Sequence, residues 1–165
     1  AASPYTVSGP ATVGPGMNVT VTLTPKPVPA TASTSPDGFA GSLSIQATGG
    51  VVNETHVVAL HQTAQGAILT FNPTALSFTA SGTKNFTVNN AGNLNAPYTL
   101  AVGGSNPGDW SVSPTSATAT AGGSVSSSAT FTRPLLGGNR SGTVTISTTA
   151  GRCAPLPAPL TLTGS

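Results

Sequence analysis

Apolar residues recur at every second position in many short runs along this chain. Val19, Val21 and Leu23 alternate with Thr20, Thr22 and Thr24, the two-residue period of a strand with one buried face. Leu43, Ile45 and Ala47 alternate with Ser44 and Gln46, and Val58 and Leu60 point opposite to Val57 and Ala59. The same spacing links Leu69 with Phe71, Leu76 with Phe78, Phe86 with Val88, Tyr98 with Leu100 and Val102, Val144 with Ile146, and Leu160 with Leu162. Thr and Val branch at Cβ and suit a pleated surface. Turn formers separate the runs: Pro15-Gly16, Pro36-Asp37-Gly38, Gly49-Gly50, Ala91-Gly92-Asn93, Asn106-Pro107-Gly108, Gly122-Gly123 and Gly137-Gly138-Asn139. With 20 Gly and 15 Pro dispersed through 165 residues, no stretch sustains a long helix. The pattern predicts an all-β protein built of antiparallel sandwiches.

The runs also repeat. PYTVSGPATVGPGMNVTVTLTPKP, then GSLSIQA and HVVALHQ, returns as DWSVSPTSATATAGGSVSSSATFTRP, then GTVTIST and APLTLTG. Each copy of a repeat is one structural unit. The boundary falls near Ala64–Ala67, giving a partial module over residues 1–65 and a complete Ig-like sandwich of seven or eight strands over residues 66–165. The first module matches the back half of the second and has no counterpart of residues 68–102. Three explanations stand open: truncation of a longer protein, completion by strands of a neighbouring chain, and a short variant of the module. The expected core is Val19, Val21, Leu23, Leu43 and Ile45 in the first module. In the second it is Leu69, Phe71, Leu76, Phe78, Phe86, Val88, Leu100, Trp110, Val112, Phe131, Val144, Ile146, Leu160 and Leu162.

Only 5% of residues are charged, against roughly a quarter in an average soluble protein. The surface is left to hydroxyls and amides, a style of exported proteins. The formal charge is +2, and Lys26, Lys84, Arg133, Arg140 and Arg152 are scattered, so no basic stripe offers a path for nucleic acid. No apolar run approaches the ~20 residues of a membrane-spanning helix. A single cysteine, Cys153, closes no disulfide within the chain. The opening Ala1-Ala2-Ser3 suits a cleaved mature end.

Chemistry is sparse. The acids are Asp37, Glu54 and Asp109, and two of them sit in turn contexts, Pro-Asp-Gly and Gly-Asp-Trp. Asp in such turns is ordinarily a turn former, which leaves no facing carboxylate pair, and no DxDxDG-like run offers a calcium loop. Glu54, His56 and His61 form the one ionisable cluster; on a strand Glu54 and His56 share a face and His61 takes the other, which does not make a zinc site. No GxSxG elbow or phosphate-cradling loop occurs. No catalytic, cofactor-binding or metal-binding residue is assigned, no cofactor is expected, and the chain is read as a non-enzyme. Asn18, Asn53, Asn85 and Asn139 begin N-x-Ser/Thr matches at about the rate chance provides. Tyr5 and Trp110 occupy equivalent places in the two copies, which argues for a shared packing role over sugar stacking.

Residues 66–165 resemble the bacterial Ig-like repeats related to the ASPM–SPD-2–Hydin (ASH) and major-sperm-protein group, often found in choice-of-anchor D surface proteins. The resemblance rests on LTFNPTALSF (Leu69 to Phe78), NFTVNNAGN (Asn85 to Asn93), AGGSVSSSATFTRP (Ala121 to Pro134), GTVTIST (Gly142 to Thr148) and LTLTG (Leu160 to Gly164). In the second motif Asn89 and Asn90 can bond locally in a strand-end turn, and Gly92 suits positive φ. The resemblance implies a fold and a setting: a structural or adhesive, filament-forming module of an exported cell-surface or extracellular bacterial protein. Its partners would be copies of itself or neighbouring domains through sheet edges, and surface polysaccharide. The alternative is a carbohydrate-binding accessory module of a larger secreted enzyme, which needs exposed aromatics at Trp110, Tyr98 and Tyr5. A minimal hydrolase using Glu54 and the histidines is the third.

Overall fold

A computed structural model describes residues 4–26, 28, 33–49, 53–135 and 138–165. Ala1-Ala2-Ser3, and Gly50 and Gly137 of two expected turns, lie outside the described residues. The chain divides into two compact units, Ala1–Pro29 with Ser35–Ala64, and Gln65–Ser165 with Ala30–Thr34.

In the second unit the alternation becomes a two-sheet sandwich. Its strands are β5 (Leu69–Asn72), β6 (Ala75–Phe78), β7 (Gly82–Asn90), β8 (Ala96–Gly103), β9 (Trp110–Ser113), β10 (Ser116–Ala119), β11 (Ser124–Phe131), β12 (Arg140–Thr148) and β13 (Leu160–Gly164). A single 3₁₀ turn, Pro107–Asp109, precedes β9. One sheet has the order β5-β7-β11-β9 and the other β10-β8-β12-β13-β6. All neighbours are antiparallel except β13 and β6, which run parallel. The chain passes from the first sheet to the second at Asn72-Pro73 and again at Ser113-Pro114, and both peptide bonds are cis.

Period-2 patterning fixes which face is buried, since a one-residue slip would turn every apolar side chain outward. Leu69 and Phe71 point in while Thr70 and Asn72 point out, and Leu160 and Leu162 alternate with Thr161 and Thr163 in the same way. Every expected core residue of this unit is buried except Val112, which is half-buried on the edge strand β9. Trp110 stacks on Phe131 with centroids 4.5 Å apart, and Phe78 of the opposite sheet meets Trp110 edge-on at 5.4 Å. Two glycines make room for these rings. A Cβ at Gly142 would lie 2.7 Å from the Trp110 ring, and one at Gly164 would lie 2.6 Å from Phe131 Cζ.

The opposite end of the sandwich is tied by an amide. Asn90 ends β7, is buried, and satisfies all four of its side-chain hydrogen-bonding positions. Its Oδ1 accepts from the backbone N–H of Ile68 (3.1 Å) and Gly92 (3.0 Å). Its Nδ2 donates to the carbonyls of Leu94 (2.8 Å) and Ala119 (3.1 Å). Asn93 Oδ1 accepts from Gly66 N–H at 2.9 Å, and Asn95 Oδ1 from Ala121 N–H at 2.9 Å. The NNAGN motif is therefore a hub joining the lead-in to β5, the start of β8 and the end of β10. Gly92 is not among the residues of positive φ; it is glycine because Gly66 O, Ala67 and Ile68 occupy the space a Cβ would take.

The first unit departs from expectation. It holds two separate two-stranded sheets: β1 (Tyr5–Ser8) with β2 (Thr22–Pro25), and β3 (Gly41–Ala47) with β4 (Glu54–Leu60). The expected core does not form there. Val19, Val21 and Ile45 are 45%, 36% and 43% exposed, and Leu23 and Leu43 are half-buried. The strand predicted over residues 19–24 begins at Thr22. The physical reason is width: each of the two sheets has only two strands, too few to cover the apolar face of the other.

Two substitutions test this account of the second unit. Asn90→Ala strands two N–H donors and two carbonyls in the interior and should lower unfolding stability by about 3 kcal/mol or more in urea titrations. Gly142→Ala should cost about 1–3 kcal/mol by overpacking the Trp110 ring. The equivalent Gly41→Ala, where the added Cβ lies 3.3 Å from Tyr5 Cε2, should cost less than about 1 kcal/mol.

Candidate functional site

The ionisable groups are distributed in pairs. In the first unit His56 Nε2 lies 3.3 Å from Glu54 Oε2 across the i, i+2 spacing of β4, and His61 Nδ1 lies 3.0 Å from Asp37 Oδ2. Asp37 is held at φ +55° in its Pro-Asp-Gly turn, where its N–H donates to Thr63 Oγ1 at 3.0 Å. Both pairs are solvent-exposed, so each contributes little to stability. Glu54 and His56 share a face, and His61 is engaged by a different carboxylate. In the second unit Asp109 Oδ2 lies 3.5 Å from Arg140 Nε, joining the 3₁₀ turn to the start of β12. Among the described residues no group of three His, Cys, Asp or Glu side chains lies close enough to hold a metal ion.

Cys153 is buried, and its N–H donates to Ala67 O at 3.0 Å. A Cβ at Gly66 would lie 2.6 Å from its Sγ, so glycine is what lets these two segments touch. Asn18, Asn53, Asn85 and Asn139, which begin the N-x-Ser/Thr matches, are all exposed.

The aromatics do not make a sugar-stacking platform. Trp110 and Tyr98 are buried in the core. Tyr5 is half-buried, and its hydroxyl donates to Phe39 O at 3.1 Å. Among the described residues, the large exposed hydrophobic side chains include no aromatic one.

Two surface grooves of about 460 Å³ each lie on the second unit. The first runs over the outer face of β8, β10 and β12 and is lined by Pro97, Thr99, Ser116, Thr118, Ser147 and Thr148 among others. Three of its hydroxyls are engaged with each other or with backbone: Thr99 Oγ1 and Ser147 Oγ are 2.7 Å apart, and Thr148 Oγ1 donates to Pro97 O at 2.6 Å. The second lies beside Ser77, Phe78, Arg140 and Thr163. Neither groove gathers a nucleophile with a base.

Apolar surface is the other exposed feature, and it is concentrated in the first unit. Among the described residues, Val7, Val13, Met17, Val57 and Val58 join Val19, Val21 and Ile45 there, against Leu135 alone in the second unit. Sequence periodicity marked these positions as apolar. It could not say whether a covering layer was present.

No protein-family model matches the sequence, and no curated protein matches it. Solved structures do. A major-sperm-protein family member of C. elegans, WR4, is 8% identical with TM-score 0.45, covering 58% of this chain and 94% of that one. The ASH/PapD-like domain 7 of human CEP192 is 15% identical with TM-score 0.44, covering 72% of this chain and 96% of that one. The E. coli chaperone DraB is 12% identical with TM-score 0.48; the match covers 59% of this chain and 54% of DraB, about half its length. Major-sperm-protein and ASH/PapD-like domains are thus among the structural neighbours, the group that the sequence motifs resemble. The assignment of an all-β, Ig-like sandwich rests on the strand order and register of the second unit.

One buried titratable group yields a measurable consequence. Burial pushes the Tyr98 hydroxyl above its ordinary pKa of 10.0, and the nearby Ser127 hydroxyl offsets part of that shift. Above pH 10 the unfolded chain releases this proton while the folded state keeps it, so stability falls as pH rises through the tyrosine range. Thermal unfolding between pH 8 and pH 11 should show that loss, and Tyr98→Phe should remove the part of the slope that Tyr98 contributes.

Proposed function

We propose that this chain is part of a non-catalytic structural or adhesive protein, exported to the bacterial cell surface or the extracellular space, where it contributes to filaments or arrays. The observation that carries this reading is the first unit: two small sheets with an exposed apolar side and open strand edges, in contrast to the closed core of the second unit. Surface of that kind calls for a partner. The low charge supports close packing of many copies, because little self-repulsion has to be overcome. The scattered ionisable pairs support a role without catalysis. Copies of the same chain and neighbouring domains of a longer polypeptide are the partners that fit sheet edges.

A carbohydrate-binding accessory role is less well supported. The groove over β8, β10 and β12 offers hydroxyls to a sugar, yet Tyr98, the aromatic residue beside it, is buried and presents no face for stacking.

Electron microscopy of the native material tests the preferred reading. Filaments, arrays or attachment to the cell surface are expected; dispersed single particles with none of these would overturn it.

A further inference from the structure

The two halves of the second unit share one layout. β5 and β7 in the smaller sheet, with β8 in the larger, face β9, β11 and β12 across the middle of the sandwich. The halves meet at two joints, β7–β11 and β8–β12, and both joints are antiparallel. Antiparallel neighbours are what a two-fold axis through a shared edge generates.

The first unit reproduces the second of these halves in pairing and, for β3 with β4, in register. β1 pairs with β2 as β9 pairs with β11, and β3 with β4 as β12 with β13. Gly41 lies opposite Leu60 and Leu43 opposite Val58; in the second unit Gly142 lies opposite Leu162 and Val144 opposite Leu160. Gly41 also lies under Tyr5 as Gly142 lies under Trp110. In the complete sandwich the other edge of β11 is covered by β7 and the other edge of β12 by β8. Among the described residues no strand lies along the corresponding edges of β2 and β3.

We propose that the first units of two copies of this chain complete one another. About a two-fold axis β2 pairs with β2 of the partner subunit and β3 with β3. This gives sheets in the order β1-β2-β2-β1 and β4-β3-β3-β4, the layout β9-β11-β7-β5 and β13-β12-β8-β10 of the second unit. Each layer then has four strands, wide enough to cover Leu23, Leu43, Ile45 and Val58. The first unit carries only Lys26, Asp37 and Glu54 as fixed charges, so two copies meet with little repulsion. The proposal rests on the reading of the protein as an assembly module and names the surface and the partner: a second copy.

Sedimentation of the full chain, with two variants, tests it. The wild type is expected to be a dimer at micromolar concentration. Ile45→Lys, at an exposed position, should weaken dimerisation by at least about a hundredfold, because a two-fold interface receives the substitution twice. Ser44 is the midpoint of β3 and falls opposite itself in the fully overlapped register. Ser44→Cys should therefore give an oxidised band of twice the mass, absent in the wild type, whose Cys153 is buried. A monomer at every concentration would overturn the proposal. So would self-association that is unchanged in Ile45→Lys and yields no Ser44→Cys cross-link; that outcome would leave assembly standing through another surface. Filaments seen by microscopy from a chain whose first unit stays monomeric would likewise separate the two readings.

Discussion

The amide of Asn90 carries two hydrogen bonds in and two out, all to backbone, at a buried end of the second unit. Its partners come from different places in the chain: Ile68 just ahead of β5, Gly92 and Leu94 in the following turn, and Ala119 at the end of β10. One side chain thereby holds the two sheets at a defined offset. A buried polar network of this kind stabilises one arrangement only when every member is satisfied, and here it is. The closeness of the sheets follows from it. Gly92 packs against Gly66 O because the turn is drawn inward, and Gly66 in turn lies against Cys153.

At the far end the same offset is enforced by shape. Trp110 and Phe131 project from the smaller sheet onto Gly142 and Gly164 of the larger one, with Phe78 closing the side. Rings on one layer need glycines on the other, so ring and glycine form one feature though they are far apart in sequence. In the first unit the glycine and the aromatic persist as Gly41 and Tyr5, but each sheet has only two strands. The consequence is the distribution of exposed apolar surface, which is the physical basis for treating the protein as an element of an assembly.

Much of the second unit was legible because its strands are half-buried and alternate cleanly. Phe86 and Val88, or Leu160 and Leu162, announce an inward face by spacing alone. Val112 read the same way and came out half-buried, since an edge strand is only partly covered. Val19 and Val21 also alternate, but periodicity reports which side of a strand is apolar and says nothing of what lies against it. The scarcity of chemistry was legible too: three acids and two histidines leave few constellations to search. Pairing His61 with Asp37 was not, because that contact joins residues 24 apart around a turn.

Local order in this chain follows from alternating side chains and turn formers, which act over a few residues and are written in the sequence: strand after strand, a repeat, a motif of asparagines at a strand end. Long-range closure is of another kind. Which edges are paired, which glycine receives which ring, and which apolar face stays uncovered depend on segments brought together from distant positions. Those contacts are set by packing and backbone hydrogen bonding in three dimensions, where spacing along the chain no longer measures distance.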